Sequence, residues 1–227
     1  MITIRHSEER GHSQLGWLDS RHTFSFSSFH DPRHMGSSVL RVINEDRVAA
    51  GAGFAPHSHD NMEILTCVLE GAVTHHDSMG NEVRVSTGEF QLMSAGTGVT
   101  HSEYNREPGE LVFLQVWIYP NTHNTEPSYQ QRRFPDREGL QLVVSPDGSD
   151  DSLRIRQKAR VWLGRLAEGR HAVHAMVGKT AWIQVIRGRL EVAGASLHAG
   201  DGMELREEPS LQLLGGADTE FLLFDLP

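Results

Sequence analysis

The chain has a single cysteine, Cys67, in 227 residues. That excludes a disulfide framework and fits a reducing compartment. Within the run ILTCVLEG the thiol reads as a buried core group. No apolar stretch approaches the roughly 18–20 residues that span a bilayer as a helix. The first residues, MITIRHSEERGHS, turn polar at Arg5 and lack the apolar core of an export signal. Surplus positive charge is missing too. The 21 basic and 30 acidic residues leave a net charge of −9, which speaks against nucleic acid or an anionic membrane as a direct partner. There is no G-x-x-x-x-G-K-[ST] loop, no strand-borne G-x-G-x-x-G and no G-x-S-x-G elbow. The GTG at 96–98 needs only a turn. These absences predict a soluble, acidic, cytoplasmic protein.

Helical periodicity is weak throughout, and short β-prone runs fill the chain. They include Thr23–Phe29, Val39–Ile43, Ile64–Leu69, Gly88–Met93, Leu111–Tyr119 and Leu140–Val144, then Val161–Leu166, Trp182–Ile186, Leu190–Val192 and Phe221–Leu226. Punctuated by Gly, Pro, Asn and Asp, they predict an all-β sandwich or barrel. SMGNE at 78–82 reads as a hairpin turn with Gly80-Asn81 at its tip. The polar stretch Pro120–Arg137 breaks the pattern and reads as a connection between domains; SPDGSDDS at 145–152 reads as an exposed loop. The expected division is 1–135 and 136–227.

The chemistry concentrates in the first half. His57 and His59 stand two residues apart, just after Pro56, at the start of an apolar run. In a strand, residues i and i+2 share a face about 6–7 Å apart, so two imidazoles can converge on one ion. His101 and Glu103 repeat the spacing. Three imidazoles and a carboxylate suit Fe, Mn, Ni, Cu or Zn, and a metal site inside a β-barrel is the functional expectation. Two acids compete for the carboxylate position. Glu63 follows His59 by four and shares its face if the strand is unbulged; Glu103 is tied to His101 by the i, i+2 geometry. If Glu103 is the ligand, Glu63 is left as an acceptor behind the ligands or as a structural acid at the barrel mouth. The adjacent His75 and His76 face opposite ways, cannot both serve one ion, and read as surface residues. His22, His30 and His34 surround a loop-like DPRHMG that can lie near the barrel mouth. His171 and His174 read as remnants or surface residues, and Arg132-Arg133 as a solvated stretch.

The halves also parallel each other, 64–93 against 181–205. In each a strand ends in glycine (Gly71, Gly188), a hairpin follows, and a Gly-acid turn (Gly88-Glu89, Gly200-Asp201) opens the next strand. Superposing the two glycines sets His57 against His174, His59 against Met176 and Glu63 against Thr180. The region of His101 and Glu103 then falls against Leu213, Leu214 and Gly215. Two barrels in tandem are expected, with metal ligands in the first alone.

The run GAGFAPHSHDNMEILTCVLEG (51–71) resembles the first cupin motif, G-x5-H-x-H-x3,4-E-x6-G, with Glu63 as its acid and seven residues rather than six before Gly71. GEFQLMSAGTGVTHSEYN (88–105) resembles the second, departing in Ser94, where cupins often carry Pro, and in a longer turn before His101. Those departures, with HSE at 101–103, RHTFSFSSFHDPRHMGSSVLRVINED (21–46) and EPSYQQRRF (126–134), resemble the pirin branch of bicupins and its bacterial quercetin 2,3-dioxygenase-like members. The resemblance spans the chain and is most specific before about residue 135. It implies an all-β fold of two tandem cupin (jelly-roll-like) barrels face to face. It implies one divalent metal ion per chain, held by His57, His59, His101 and Glu103. Iron comes first, with Zn, Ni, Cu, Mn and Co admitted because the Irving–Williams order favours other metals in such a site. It further implies an oxidoreductase that opens a flavonol such as quercetin with O2 and releases carbon monoxide. The 3-hydroxyl would bind the ion and Glu103, or Glu63 in its place, would take the proton. A reading of another class is a metal-binding regulatory module with protein partners, in which dioxygenation is incidental. A cupin isomerase or sugar-modifying enzyme is the third.

Overall fold

Strand alternation decides the architecture. Along Glu63–Glu70, Leu65 and Cys67 join one apolar cluster while Ile64 and Val68 join others, so this strand is covered on both faces, as its near-continuous apolar sequence requires. The computed structural model describes residues 1–227. It contains β1 (Ile2–Arg5), β2 (Gly11–Gln14), β3 (Leu18–His22), β4 (Leu40–Val48), β5 (Gly53–His59) and β6 (Glu63–Glu70). Next come β7 (Ala72–Asp77), β8 (Glu82–Ser86), β9 (Glu89–Ser94), β10 (Val99–Tyr104), β11 (Leu111–Ile118) and β12 (Ser128–Arg133). The second half holds β13 (Gly139–Ser145), β14 (Leu153–Arg154), β15 (Arg160–Leu166), β16 (His171–Ala175) and β17 (Thr180–Arg187). It ends with β18 (Arg189–Val192), β19 (Ala195–His198), β20 (Gly202–Arg206), β21 (Ser210–Gly215) and β22 (Thr219–Leu226). No helix is long and apolar enough to cross a membrane.

The strands form two all-β barrels of the cupin, jelly-roll type. In the first, the seven-stranded sheet β12-β9-β6-β11-β4-β3-β2 faces the four-stranded sheet β5-β10-β7-β8; Val68 and Phe113 of the large sheet meet Val73 and Val85 of the small one. In the second, β1-β20-β17-β22-β15-β13-β14 faces β16-β21-β18-β19. The two large sheets then pack on each other. Leu65, Phe90 and Leu114 from one and Val143, Leu222 and Phe224 from the other share a single apolar cluster. The hairpin read at 78–82 joins β7 to β8, with Gly80 at φ 92° supplying the left-handed turn residue.

Two expectations for segments change. Thr23–Phe29 alternates like a strand but turns instead. Ser27 adopts φ 52°, Phe26 and Phe29 exchange backbone hydrogen bonds at 3.0 Å, and the Ser25 hydroxyl ties back to the Asp31 backbone. Local side-chain bonds of this kind compete with a sheet ladder. Pro120–Arg137 is more than a connection, because it contains β12, which pairs with β9 along its length. An edge strand needs one partner and one covered face, so its polar sequence suffices. The first strand, β1, closes the edge of the second half's large sheet beside β20.

Candidate metal centre

β5 and β10 lie side by side, with His57 opposite His101 and His59 opposite Val99. The register slips by one residue between the His57–His101 and Phe54–Glu103 pairs, where Pro56, which has no N–H to lose, sits in the bulge. Ring centroids lie 4.8 Å apart for His57–His59, 4.5 Å for His57–His101 and 5.0 Å for His59–His101, and a ligand nitrogen from each falls within 4.8 Å of the others. His57 Nδ1 is 2.8 Å from the Ala55 carbonyl oxygen. A carbonyl only accepts, so Nδ1 carries the hydrogen and Nε2 keeps its lone pair. His59 Nε2 and both nitrogens of His101 are buried with no protein partner. Burial, and then the neighbouring imidazoles, push His59 down to about 4 and His101 down to about 3, so both rings are neutral at neutral pH. Unpartnered buried nitrogens are costly, and a cation among three neutral imidazoles removes that cost. The donor set fits a divalent first-row metal ion.

Glu103 stands slightly apart. Its carboxylate groups with His101 and His75, and its two oxygens accept hydrogen bonds from the side-chain amides of Gln91 and Gln115, each at 2.7 Å. The surface reading of His75 is corrected here: the residue is fully buried. On β7 it faces inward opposite Glu103, while His76 faces solvent. Its Nε2 lies 2.9 Å from Asp77 Oδ2, which leaves a buried, unpartnered Nδ1. Burial opposes ionisation of Asp77, but hydrogen bonds from His75 and Asn81 hold its carboxyl below the usual range. The i, i+2 spacing of His75 and Asp77 is the same signal that marks the other two pairs. Glu63 lies elsewhere, and the argument that it shares a face with His59 fails. The chain leaves β5 at His59 and restarts β6 at Glu63, whose odd positions point toward the second half. There the Glu63 carboxylate accepts from Ser94 Oγ at 2.7 Å and from the Arg156 backbone N–H at 3.2 Å.

A cavity of about 590 Å³ opens beside His57 and His59, within the range of about 300–1,000 Å³ usual for small-molecule sites. Trp17, Phe26, Phe54 and Trp117 give it aromatic walls, and Ser20, His22, Asn44, Asp46 and Gln115 of the large sheet give it polar ones. Of the three histidines around DPRHMG only His22 reaches it; burial lowers its pKa, and its ring bonds Ser13 Oγ and Asn44 Oδ1 at 2.8 and 2.9 Å.

The second barrel has none of this. Across the first large sheet, paired residues form a polar row His22–Asn44–Gln115–Thr66–Gln91. The corresponding row of the second is Leu142–Trp162–Leu223–Ile183–Met203. His174 is the counterpart of His57, but it pairs with Leu211, two residues before the segment that superposed glycines assign to His101. Far from being a surface residue, His174 is buried against Trp162 and bonded to Asp225 at 3.1 Å.

Residues 3–118 match the family model described as Pirin, and residues 142–226 the one described as Quercetinase C-terminal cupin domain. Quercetin 2,3-dioxygenase of Escherichia coli (strain K12) is 48% identical over 229 aligned positions, covering 100% of this chain and 99% of the relative. A pirin-like protein of Caulobacter vibrioides is 38% identical, with 99% of each chain covered. Among solved structures, bacterial pirin YhhW from Escherichia coli in complex with nickel(II) superposes with a TM-score of 0.97 at 47% identity, over 100% of this chain and 99% of that one.

Proposed function

This chain belongs to the pirin family, and from that premise we propose that it is a metal-dependent dioxygenase that opens a flavonol ring with O2 and releases carbon monoxide. The observation that carries the reading is the convergence of three imidazoles with free nitrogens beside an aromatic-walled cavity. Its support in sequence is whole-length similarity to a protein named quercetin 2,3-dioxygenase. In this reading His57, His59 and His101 hold one divalent ion and Glu103 is the fourth ligand. Iron is the metal proposed, with Zn, Ni, Cu, Mn and Co able to take the same donors. Bound there, the ion supplies Lewis acidity toward an enolic hydroxyl and, if redox-active, electron exchange with O2.

The chain's own groups do the rest. Trp17, Phe26, Phe54 and Trp117 offer flat apolar faces that hold a planar aromatic substrate and displace water. The Ala55 carbonyl fixes the His57 ring through Nδ1, so that Nε2 is the nitrogen presented. Gln91 and Gln115 hold the Glu103 carboxylate in place through one hydrogen bond to each oxygen. Residues 1–135 carry the metal chemistry in this proposal and residues 136–227 hold no ion, a division that the apolar row of the second barrel supports. The test is direct. Protein stripped of metal and reloaded with Fe(II) should bleach quercetin in air and evolve carbon monoxide, while stripped protein should do neither. No turnover with any of the six metals overturns the reading.

A further inference from the structure

Glu103 is poorly placed to accept a proton from a substrate in the cavity. Both its oxygens are engaged by amide donors, and it does not line the cavity. Asp46 does line it. This side chain on β4 is 3% exposed, and no lysine, arginine or histidine hydrogen-bonds or ion-pairs with it. Its Oδ1 accepts the Ser20 hydroxyl, and no group of the protein bonds to Oδ2. A buried carboxyl with one neutral donor and no countercharge is expensive to keep unless it serves the cavity it faces.

We infer that Asp46, held by Ser20, is the group that takes the proton from the substrate hydroxyl. The assignment rests on the flavonol reading. The O–H bond of the hydroxyl breaks, its electron pair stays on the substrate oxygen, and the proton passes to Asp46 Oδ2, to be returned when product leaves. Asp46 is suited to this exchange near neutral pH. Burial, reinforced by the charges of Glu103 and Glu45 and opposed by the Ser20 bond, pushes its pKa up to about 7. Of the strands beside it, β3 contributes His22 and β11 no titratable residue; β5 brings His57 and His59 to the same cavity. As pH rises the carboxylate form accumulates, so base catalysis should increase with it, at a pH that a bound dication lowers from the metal-free value.

The experiment compares wild type, Asp46→Asn and Ser20→Ala, all reloaded with the same metal. Asparagine keeps an oxygen for Ser20 but takes no proton. Asp46→Asn should retain wild-type metal content and bind quercetin anaerobically with a dissociation constant changed less than about threefold, read from Trp17 and Trp117 fluorescence. Its kcat/KM should fall by about 10²-fold or more, and the rise of activity with pH should vanish. Ser20→Ala, which removes the donor to the carboxylate, should move that rise to higher pH. If Asp46→Asn does not fold, the Ser20→Ala profile decides alone: an upward shift supports the assignment and an unmoved rise overturns it. Active wild type with an unchanged Asp46→Asn profile overturns the assignment and leaves the flavonol reading standing. Wild type that turns over no flavonol removes both.

Discussion

Trp117 sets the direction of Gln115, and through it the state of Glu103. An indole N–H only donates, so the Gln115 oxygen 3.1 Å away must be the acceptor, and the amide NH2 is turned toward Glu103. Gln91 is set in the same sense. Its oxygen accepts from the Tyr129 hydroxyl at 2.9 Å, leaving the NH2 for Glu103 and for Thr66 Oγ1 at 3.0 Å. Two aromatic donors thus aim two amides at one carboxylate. Gln115→Leu should therefore weaken metal retention by about 10–100-fold, the usual cost of losing a group that orients a ligand, with folding intact. A chelating-dye competition reads it, and an unchanged affinity would detach Glu103 from the metal. The clustering of His57, His59 and His101, with Glu103 beside His101, is legible in the sequence because H-x-H and H-S-E carry a spacing with direct geometric meaning. Gln91, Gln115 and Asp46 are not legible in this way, since an amide or acid inside VINEDRV, FQLM or LQVW looks the same whether it faces a cavity or solvent. Only the register, which lines these residues up from different strands, tells the two apart.

At the scale of elements, the centre depends on how closely β5 approaches β10. Gly53 pairs with Tyr104, and a Cβ there would strike the Glu103 carbonyl oxygen and the Tyr104 backbone well inside contact distance. Gly53→Ala should push β10 away at a cost of about 1–3 kcal/mol, typical of overpacking, and release metal more readily than wild type. Gly109→Ala, with nothing within 4 Å, is the control. Thermal melts and metal content of the two variants check this; equal behaviour would show that the β5–β10 spacing does not govern the site. Most strands were legible in the sequence, since the apolar runs that became β6, β11, β17 and β22 are buried on both faces. The failures share a cause. Thr23–Phe29 has the alternation of a strand but makes only isolated backbone bonds rather than a ladder, and β12 has a neighbour but no apolar signature. Pairing partners are a long-range property that local alternation does not encode.

The largest apolar cluster of the molecule lies between the two barrels. The apolar cluster that joins the two large sheets takes Leu65, Phe90 and Leu114 from one half and Leu222 and Phe224 from the other. Polar ties follow the same seam. Arg156 N–H meets Glu63, Thr23 Oγ1 meets Gln184, and the Ser7 backbone N–H meets Asp201 at 2.8 Å. None of these groups lies in the cluster of His57, His59, His75, His101 and Glu103. Stability and the metal site should accordingly be separable, unlike a zinc finger, which folds only around its ion. Metal-stripped protein should unfold in one cooperative transition that reports both halves together. Phe224→Ala, which removes a fully buried ring from the shared cluster, should lower stability by about 3–5 kcal/mol and move the midpoint by on the order of 10 °C at this chain length. Differential scanning calorimetry of stripped and reloaded protein, with and without the substitution, makes the comparison. Two resolved transitions, one of them untouched by Phe224→Ala, would show that the barrels fold independently. Loss of any cooperative transition on stripping would show that the ion is part of the fold.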